Sequence, residues 1–226
     1  EAFLRLRKGT QPEARQLAER ALRIKQTLLA ADDLEIASSL VNLGQVHSEL
    51  EDYPAAKSHY EQALRIRRSA LDPNDPAIAG VLLRLGRTES DLGHYPDARQ
   101  LYEAALQIMV AARGESHPEV ASILYNLANL LRDIGEYDAS LANYQRALAI
   151  TQKAEGQQSV HVAYLLDRLA HLHQLMGDYA AAGLLFDQSL QIRERTFGSD
   201  HTEVASSLNN LALLRQALAG QYPLVF

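Results

Sequence analysis

Three adjacent residues, Ser199, Asp200 and His201, carry the side-chain types that hydrolases combine into a nucleophile, an acid and a base. A working triad needs the histidine against the serine and the acid behind the histidine, which neighbours in one segment cannot provide. The segment directly precedes a helical pattern, where such side chains accept hydrogen bonds from free backbone N–H groups. We therefore interpret it as a helix cap, and we expect no catalytic residues and no enzymatic activity in this chain.

Two histidines are the candidate metal ligands. His171 and His173 lie two residues apart and would point to different sides of a helix, whereas a helical metal pair needs i, i+4 spacing. The sequence contains no cysteine, which excludes thiolate metal sites, disulfides and a cysteine nucleophile. It also lacks a glycine-rich phosphate loop. The sequence thus predicts neither a metal site nor a cofactor.

A further set of polar side chains is suited to binding. One position repeats every 42 residues and alternates between two residue types: Asn42, Arg84, Asn126, Arg168, Asn210. A helix face that only meets water would more often mix Glu and Lys, although Arg87 and Asp91, one helical turn apart, could simply pair with each other. The candidate binding residues on this face are Asn42, Gln45, Arg84, Arg87, Tyr125, Asn126, Asn129, Tyr164, Arg168, His171 and Asn210.

The binding positions belong to a repeat of 42 residues. A β-branched residue followed by alanine recurs at Ile36-Ala37, Ile78-Ala79, Val120-Ala121, Val162-Ala163 and Val204-Ala205. An aromatic column holds Tyr60, Tyr102, Tyr144 and Phe186. Such self-similarity indicates a repeat protein whose core lies between neighbouring repeats.

Each repeat contains two amphipathic helical patterns. In the first complete repeat, Ile36, Leu40 and Leu43 fall on one stripe of a first helix, and Tyr60 and Ala63 belong to a second helix. Glycines stand between the paired helices and between repeats, so we expect about ten helices of about four to five turns each. The predicted array has a partial repeat at 1–33, full repeats at 34–75, 76–117, 118–159 and 160–201, and a partial repeat at 202–226.

The first residues are expected to contain a helix break. Residues 1–8 match the end of a first helix, Gly9 to Gln11 would stop it, and Pro12 would occupy the first turn of the next helix. The chain begins at Glu1 without an initiator Met and without a charged-then-apolar leader. We therefore interpret it as part of a longer protein.

Charge and hydropathy exclude two classes of partner. The 226 residues carry a formal net charge of −6, and no basic stripe interleaved with aromatic residues occurs, so we expect no binding to nucleic acid. The longest apolar run is far shorter than a membrane span, so we expect no membrane association. The lack of cysteine is compatible with a cytoplasmic location, which we adopt as our expectation.

The repeat columns resemble the tetratricopeptide repeat. The small residue, the two alanines and the aromatic residue of that motif correspond to Gly44, Ala56, Ala63 and Tyr60. That repeat usually has about 34 residues, and the longer form in this chain is similar to the repeats of kinesin light chain. The resemblance implies an all-α fold, a right-handed superhelical solenoid of helix–turn–helix repeats. It also implies that the first helices line a concave groove.

Two departures limit what the resemblance implies. The Gly-x-x-His-Pro linker of kinesin light chain is present at 114–118 but absent at 157–160. Chaperone-binding members of the family use lysines at two positions of defined repeats, and this chain has none there. We therefore do not expect a chaperone tail as the ligand.

Two functions are compatible with these patterns. In the first, the chain is an adaptor whose groove binds an acidic peptide segment of a partner protein. In the second, it is a spacer or a regulatory segment that contacts flanking domains of a larger protein. The last first helix, Thr202 to Leu218, has apolar residues on more than one side. We expect Leu224, Val225 and Phe226 to fold back over it, or a second molecule to cover it.

Overall fold

The computed structural model describes the backbone of residues 2–221 and the side chains of residues 13–218. This part of the chain contains ten helices and no strands, which confirms the predicted all-α helical repeat fold. The helices are α1 (Ala2–Leu28), α2 (Leu34–Glu49), α3 (Tyr53–Ala70), α4 (Pro76–Asp91), α5 (Tyr95–Arg113), α6 (Pro118–Asp133), α7 (Tyr137–Glu155), α8 (Val160–Leu175), α9 (Tyr179–Phe197) and α10 (Thr202–Gln221).

The chain divides into two compact units, which we call the N-terminal unit (Glu1–Glu115) and the C-terminal unit (Ser116–Phe226). In each unit the main packing contacts join helices that follow each other in the sequence. The even-numbered helices are the first helices of their repeats, and the odd-numbered ones are the second helices. The single continuous array remains a prediction.

The predicted helix break near the N-terminus is wrong. Helix α1 runs without interruption from Ala2 to Leu28, through Gly9 and Pro12. A glycine inside a helix costs only about 1 kcal/mol, and extending an existing helix is easier than nucleating a separate one from eight residues. The proline therefore removes one backbone hydrogen bond but does not start a new helix.

Polar side chains fix where the first helices begin. Asp33 accepts a hydrogen bond from the Glu35 N–H at 2.7 Å, and Asp75 accepts one from the Ala77 N–H at 2.7 Å. The Ser159 hydroxyl does the same for the Val162 N–H at 3.2 Å. These bonds satisfy N–H groups that have no partner within the helix. They therefore fix where α2, α4 and α8 begin.

Within each repeat, the aromatic ring of the second helix packs on a small residue of the first. The column of Tyr60, Tyr102, Tyr144 and Phe186 is at most 2% exposed. Tyr60 lies so close to Gly44 that a Cβ atom there would meet its Cε1 at 2.7 Å. The small residue therefore sets the distance between the paired helices.

Replacing Gly86 by alanine is expected to lower the free energy of unfolding by about 1–3 kcal/mol. A Cβ atom at position 86 would lie 2.8 Å from Cε1 of the fully buried Tyr102. Gly80 on the same helix is the control, because no atom lies within 4 Å of a Cβ there. Gly80→Ala should instead stabilise the protein by roughly 0.5–1 kcal/mol. Urea unfolding of both variants checks this, and equal effects would contradict the proposed close contact.

An acid–histidine pair joins the end of the first helix to the turn after it in three repeats. His47 Nδ1 lies 3.0 Å from Asp52 Oδ2, and His173 Nδ1 lies 3.4 Å from Asp178 Oδ2. In the second full repeat, at 76–117, the two types change places, with Glu89 Oε2 2.8 Å from His94 Nδ1. The same two residue types therefore lie beside each other in either order along the chain, although His173 Nδ1 makes no hydrogen bond among the described residues.

His59 lies against the first of these pairs. Its ring centroid is 5.2 Å from that of His47, and its Nδ1 is buried without a hydrogen-bond partner among the described residues. Burial, and next the charge of His47, lower the pKa of His59 below its ordinary value of 6.5, although Asp52 and Glu19 act in the opposite direction. The folded state therefore favours the neutral imidazole.

Acidification below pH about 6.5 is expected to destabilise the protein through His59, because the unfolded chain then binds a proton that the folded chain resists. The lost stability is regained as the pH rises through the unfolded-state pKa. The variant His59→Leu introduces leucine, which the next repeat has at the equivalent position, Leu101. Thermal melts between neutral and acidic pH should show a smaller decrease in Tm for this variant. A parallel decrease in both proteins would rule out His59 as the cause.

A buried arginine connects three helices of the C-terminal unit. Arg193 on α9 is 4% exposed, and its Nη2 lies 2.7 Å from Asp167 Oδ2 on α8. Its Nη1 donates to the hydroxyls of Ser189 at 2.7 Å and Ser207 at 2.6 Å. Its Nε lies 3.2 Å from Glu203 Oε2 on α10. The repeat pattern of the sequence does not predict this network.

The outer face of α10 is exposed. Leu208 is 50% exposed, whereas the four equivalent leucines of the preceding first helices are at most 4% exposed. Ala205 and Ala212, on the same face, are exposed as well. The residues predicted to cover this face, Leu224, Val225 and Phe226, lie outside the described part of the chain.

Candidate binding surface of the first helices

All eleven candidate binding residues lie on first helices. In the N-terminal unit, α2 and α4 carry four exposed members: Asn42, Gln45, Arg84 and Arg87. In the C-terminal unit, Tyr164 is 40% exposed, and the other members on α6, α8 and α10 are half-buried: Tyr125, Asn126, Asn129, Arg168, His171 and Asn210. The structure therefore gives two candidate surfaces, one in each unit.

In the N-terminal unit, Gln45 and Arg84 are in direct contact. Arg84 Nη1 donates to Gln45 Oε1 at 3.2 Å, and Gln45 Nε2 donates to Glu49 Oε1 at 3.1 Å. Together with Arg87 and Tyr60 they line a cavity of about 110 Å³. Burial raises the pKa of the Tyr60 hydroxyl, and the Arg84 guanidinium opposes that rise. The hydroxyl is therefore a neutral hydrogen-bond donor beside a cation.

Arg87 and Asp91 do not form the i, i+4 ion pair that their spacing on the helix allows. The ion pairs of the described residues do not include Arg87. Burial raises the pKa of the Asp91 carboxyl, and the nearby Arg87 charge only partly offsets this. Arg84 and Arg87 therefore both contribute positive charge to the same cavity.

In the C-terminal unit, two tyrosines and one arginine form a connected cluster. The hydroxyls of Tyr125 and Tyr164 are 2.8 Å apart, and their ring centroids are 5.7 Å apart. Arg168 Nη2 donates to the Tyr164 hydroxyl at 2.6 Å, and its Cζ lies 4.6 Å from the ring centroid. We call these three residues the Tyr–Arg cluster.

The charge of Arg168 is held in place by its surroundings. Burial acts to lower the pKa of the Arg168 guanidinium, and the neighbouring tyrosines act to raise it, with a net rise. Its Nε is buried and has no hydrogen-bond partner among the described residues. Burial also raises the pKa of Tyr125, assisted by the hydrogen bond with Tyr164. The cluster therefore combines a permanent cation with two neutral hydroxyls.

The asparagines of the C-terminal unit are partly engaged within the protein. The Tyr144 hydroxyl donates to Asn129 Oδ1 at 2.6 Å, and Asn126 Nδ2 donates to the Ser122 carbonyl at 2.8 Å. Asn126 keeps its carbonyl oxygen for a ligand, whereas Asn129 is also hydrogen-bonded to the Tyr125 hydroxyl. The side chains of Asn42 and Asn210 make no hydrogen bond among the described residues, so both of their polar ends are available.

His171 contributes mainly to packing. Its ring meets the buried Phe186 edge-on at a centroid distance of 5.0 Å, and its Nδ1 lies 3.0 Å from Gln174 Oε1. His173 has a different partner, Asp178. His201 caps α10, because its Nδ1 accepts a hydrogen bond from the Glu203 N–H at 3.2 Å.

One group of side chains in the described residues has ligand atoms close enough together for a metal ion. Glu89, His94 and Asp97 place these atoms within 4.8 Å of one another. Lys57 Nζ, however, already lies 2.6 Å from Glu89 Oε1. The ammonium group occupies the place where a cation would be attracted, so we assign no metal site.

An apolar cleft lies beside the Tyr–Arg cluster. Its volume is about 280 Å³, and its walls include Pro118, Ala121, Leu165 and the two tyrosines of the cluster. Tyr125 and Tyr164 are 39 residues apart, so they occupy different columns of the repeat. The sequence nevertheless predicts that both lie on the same side of the first helices, where they are expected to hold an apolar or aromatic residue of the ligand.

Comparisons with known proteins agree with this architecture. A family model for the tetratricopeptide repeat matches residues 2–69, 77–153 and 161–224, and a second one matches residues 41–108. No curated protein has a significant sequence match to this chain. Among the described residues, none of the helices has the length and apolar character needed to cross a membrane.

Several solved structures share the fold. BtubC (BKLC) from P. vanneervenii superposes with a TM-score of 0.80 at 22% identity, covering 92% of this chain and 84% of that one. A Podosopora anserina protein with nearly identical TPR-like repeats, named for kinesin light chain, gives 0.73 at 21% identity, covering 81% and 87%. Aspartyl phosphate phosphatase F from Bacillus subtilis gives 0.69 at 16% identity, covering 83% and 48%. At these identities the likeness shows the fold alone.

Proposed function

Because the chain belongs to the tetratricopeptide repeat family, whose members serve as protein–protein interaction modules, we propose that its first helices bind an acidic peptide segment of a partner protein. The family assignment gives the general role. The acidic character of the ligand is inferred from the side chains of the exposed face.

The observation that carries the proposal is the state of Arg168. No ion pair to a carboxylate is formed by this residue within the described chain, and one of its N–H groups is buried without a partner. A ligand carboxylate would supply the ion pair that Arg168 lacks, and charge-assisted hydrogen bonds of this kind are among the strongest in proteins. The adjacent apolar cleft of about 280 Å³ would take an apolar side chain of the same ligand.

The N-terminal unit offers a second set of similar groups. Arg84 and Arg87 are exposed and line the same small cavity, with the neutral hydroxyl of Tyr60 beside them. The net charge of −6 does not oppose an acidic ligand, because charges are screened beyond about 8 Å at physiological salt. The local lining therefore determines which peptides are attracted.

Titration of the whole chain with labelled acidic, neutral and basic peptides of equal length tests this proposal. We expect acidic peptides to bind most tightly, with an affinity that decreases as salt is added. An equal affinity for all three classes would reject the proposal. The chain would then be better described as a spacer or regulatory segment that contacts flanking domains of a larger protein.

We also propose that the protein acts in the cytoplasm.

We further propose that the exposed outer face of α10 allows self-association. Apolar faces of this kind mark protein contact sites, and Leu208 lies at its centre. Light scattering should show an average mass that rises with concentration for the parent and falls toward that of the monomer for Leu208→Glu. A strictly monomeric parent would contradict the self-association.

A further inference from the structure

A second cleft in the C-terminal unit lies apart from the Tyr–Arg cluster. It is formed where the end of α7 and the linker after it meet α8 and α9, and its volume is about 250 Å³. Five glutamines and one arginine surround it: Gln152, Gln157, Gln158, Gln188, Gln191 and Arg195. We call it the glutamine cleft.

The floor of the glutamine cleft is apolar and rigid. Val162, Leu166 and Ile192 line it, and all three are at most 5% exposed. They belong to one packed cluster together with Ala163. A ligand group that enters the cleft would therefore meet a fixed aliphatic surface below and amide groups at the sides.

The repeat itself shows that glutamines are not needed to build this cleft. The N-terminal unit has a cavity of about 390 Å³ at the equivalent place, lined by Arg68, Pro73, Ile78 and Ile108. Two repeats later these positions are Gln152, Gln157, Val162 and Ile192. The apolar floor is kept, while Arg68 and Pro73 are replaced by glutamines. Gln152 and Gln157 are therefore additional to what the fold requires.

The chemistry of the rim favours a ligand that presents donors and acceptors side by side. Each glutamine amide offers two N–H donors and a carbonyl acceptor. Among the described residues, a single hydrogen bond engages the five glutamine side chains, from Arg195 Nη1 to Gln158 Oε1 at 3.3 Å. The peptide main chain has the matching alternation of N–H and C=O groups. Arg195 is the one charged group of the lining.

We propose that the glutamine cleft is a second peptide-binding site, which takes one or two residues of an extended, uncharged segment of a partner. The main-chain groups of this segment form hydrogen bonds with the rim amides. One of its aliphatic side chains packs on Val162, Leu166 and Ile192. The volume of 250 Å³ is below the range of about 300–1,000 Å³ that is usual for small-molecule sites. A short part of a longer chain therefore fits better than a complete small molecule.

The test uses NMR titration of the whole protein with the blocked peptide acetyl-Gly-Gln-Val-Gln-Gly-amide. We expect the side-chain NH₂ signals of Gln188 and Gln191 to shift, and the double variant Gln188→Ala with Gln191→Ala to bind at least fivefold more weakly. The matched control is Gln62→Ala with Gln107→Ala, which removes two amides from the same columns of the N-terminal unit. This control should bind like the parent.

Three outcomes decide between the possibilities. Binding that is unchanged at high salt and unaffected by Arg168→Glu supports a site separate from the Tyr–Arg cluster, so the two proposals can fail independently. Binding that weakens equally in the control variant overturns the assignment to the glutamine cleft. If the glutamine signals do not shift at the highest soluble concentration of the peptide, the proposed site does not exist.

Discussion

Replacement of Arg193 by methionine is expected to lower the free energy of unfolding of the C-terminal unit by about 3–5 kcal/mol. Arg193 and Asp167 form an ion pair at 2.7 Å, and their side chains are only 5% and 11% exposed. Without the guanidinium, the Asp167 carboxylate would remain buried with no compensating charge, and this desolvation is the main source of the loss. Glu203 is 47% exposed and would be solvated instead.

The N-terminal unit supplies the control for this experiment, because it contains an apolar version of the same pair. Leu83 and Met109 occupy the positions of Asp167 and Arg193 two repeats earlier, and Met109 is 3% exposed. The double variant Asp167→Leu with Arg193→Met imports that pair. It should regain most of the lost stability, since buried ion pairs are often replaced by apolar residues at little cost.

Urea unfolding followed by circular dichroism measures both variants, with Arg146→Met as a control at an exposed arginine of α7. The buried ion pair is the cause only if the single variant is much less stable than the double variant. Equal destabilisation of the two would indicate that the serine and glutamate contacts of Arg193 matter more than Asp167.

The simultaneous changes Arg84→Glu and Arg168→Glu are expected to weaken the binding of an acidic peptide at least a hundredfold. A hydrogen bond to a charged group contributes about 1.5–3 kcal/mol, and each 1.4 kcal/mol corresponds to about a factor of ten in affinity. Charge reversal adds repulsion to the loss of attraction. Each single change should therefore cost about tenfold or more, and the two losses should add where one peptide contacts both arginines.

Folding should be retained in these variants. Arg84 is exposed, and a glutamate at position 168 can still accept a hydrogen bond from the Tyr164 hydroxyl. Arg146→Glu on α7 makes the same change of charge away from the first helices and should bind like the parent. Calorimetric titration together with circular dichroism distinguishes lost affinity from lost structure. If the variants unfold, or if Arg146→Glu weakens binding equally, the arginines do not form a specific site.

The fold could be predicted because its signals recur. The close packing of paired helices needs the same small and aromatic columns in every repeat, so Gly44 with Tyr60 and Gly86 with Tyr102 report one geometry twice. The exception is α1, where one glycine and one proline predict a helix break that does not occur. The free-energy cost of keeping these two residues inside the helix is smaller than the cost of ending one helix and nucleating another.

The candidate sites were less predictable because their contacts depend on side chains that do not recur. The pairing of Arg193 with Asp167 occurs in one repeat and is replaced by apolar residues in another, so no column reveals it. The contact between Tyr125 and Tyr164 joins different columns. Periodicity indicates which face of a helix is exposed. The contacts that the side chains on that face make with one another are visible only in the structure.

The packing of each helix on its sequence neighbours affects how fast such a chain folds and how its length can change in evolution. Contacts that are local in sequence close short loops, and proteins of low contact order fold quickly. A stretch of 42 residues gained or lost between two repeats leaves the contacts within the remaining repeats intact, since no central core has to be rebuilt. The length of the array can therefore change by duplication or deletion, while each binding residue keeps its place within its own repeat.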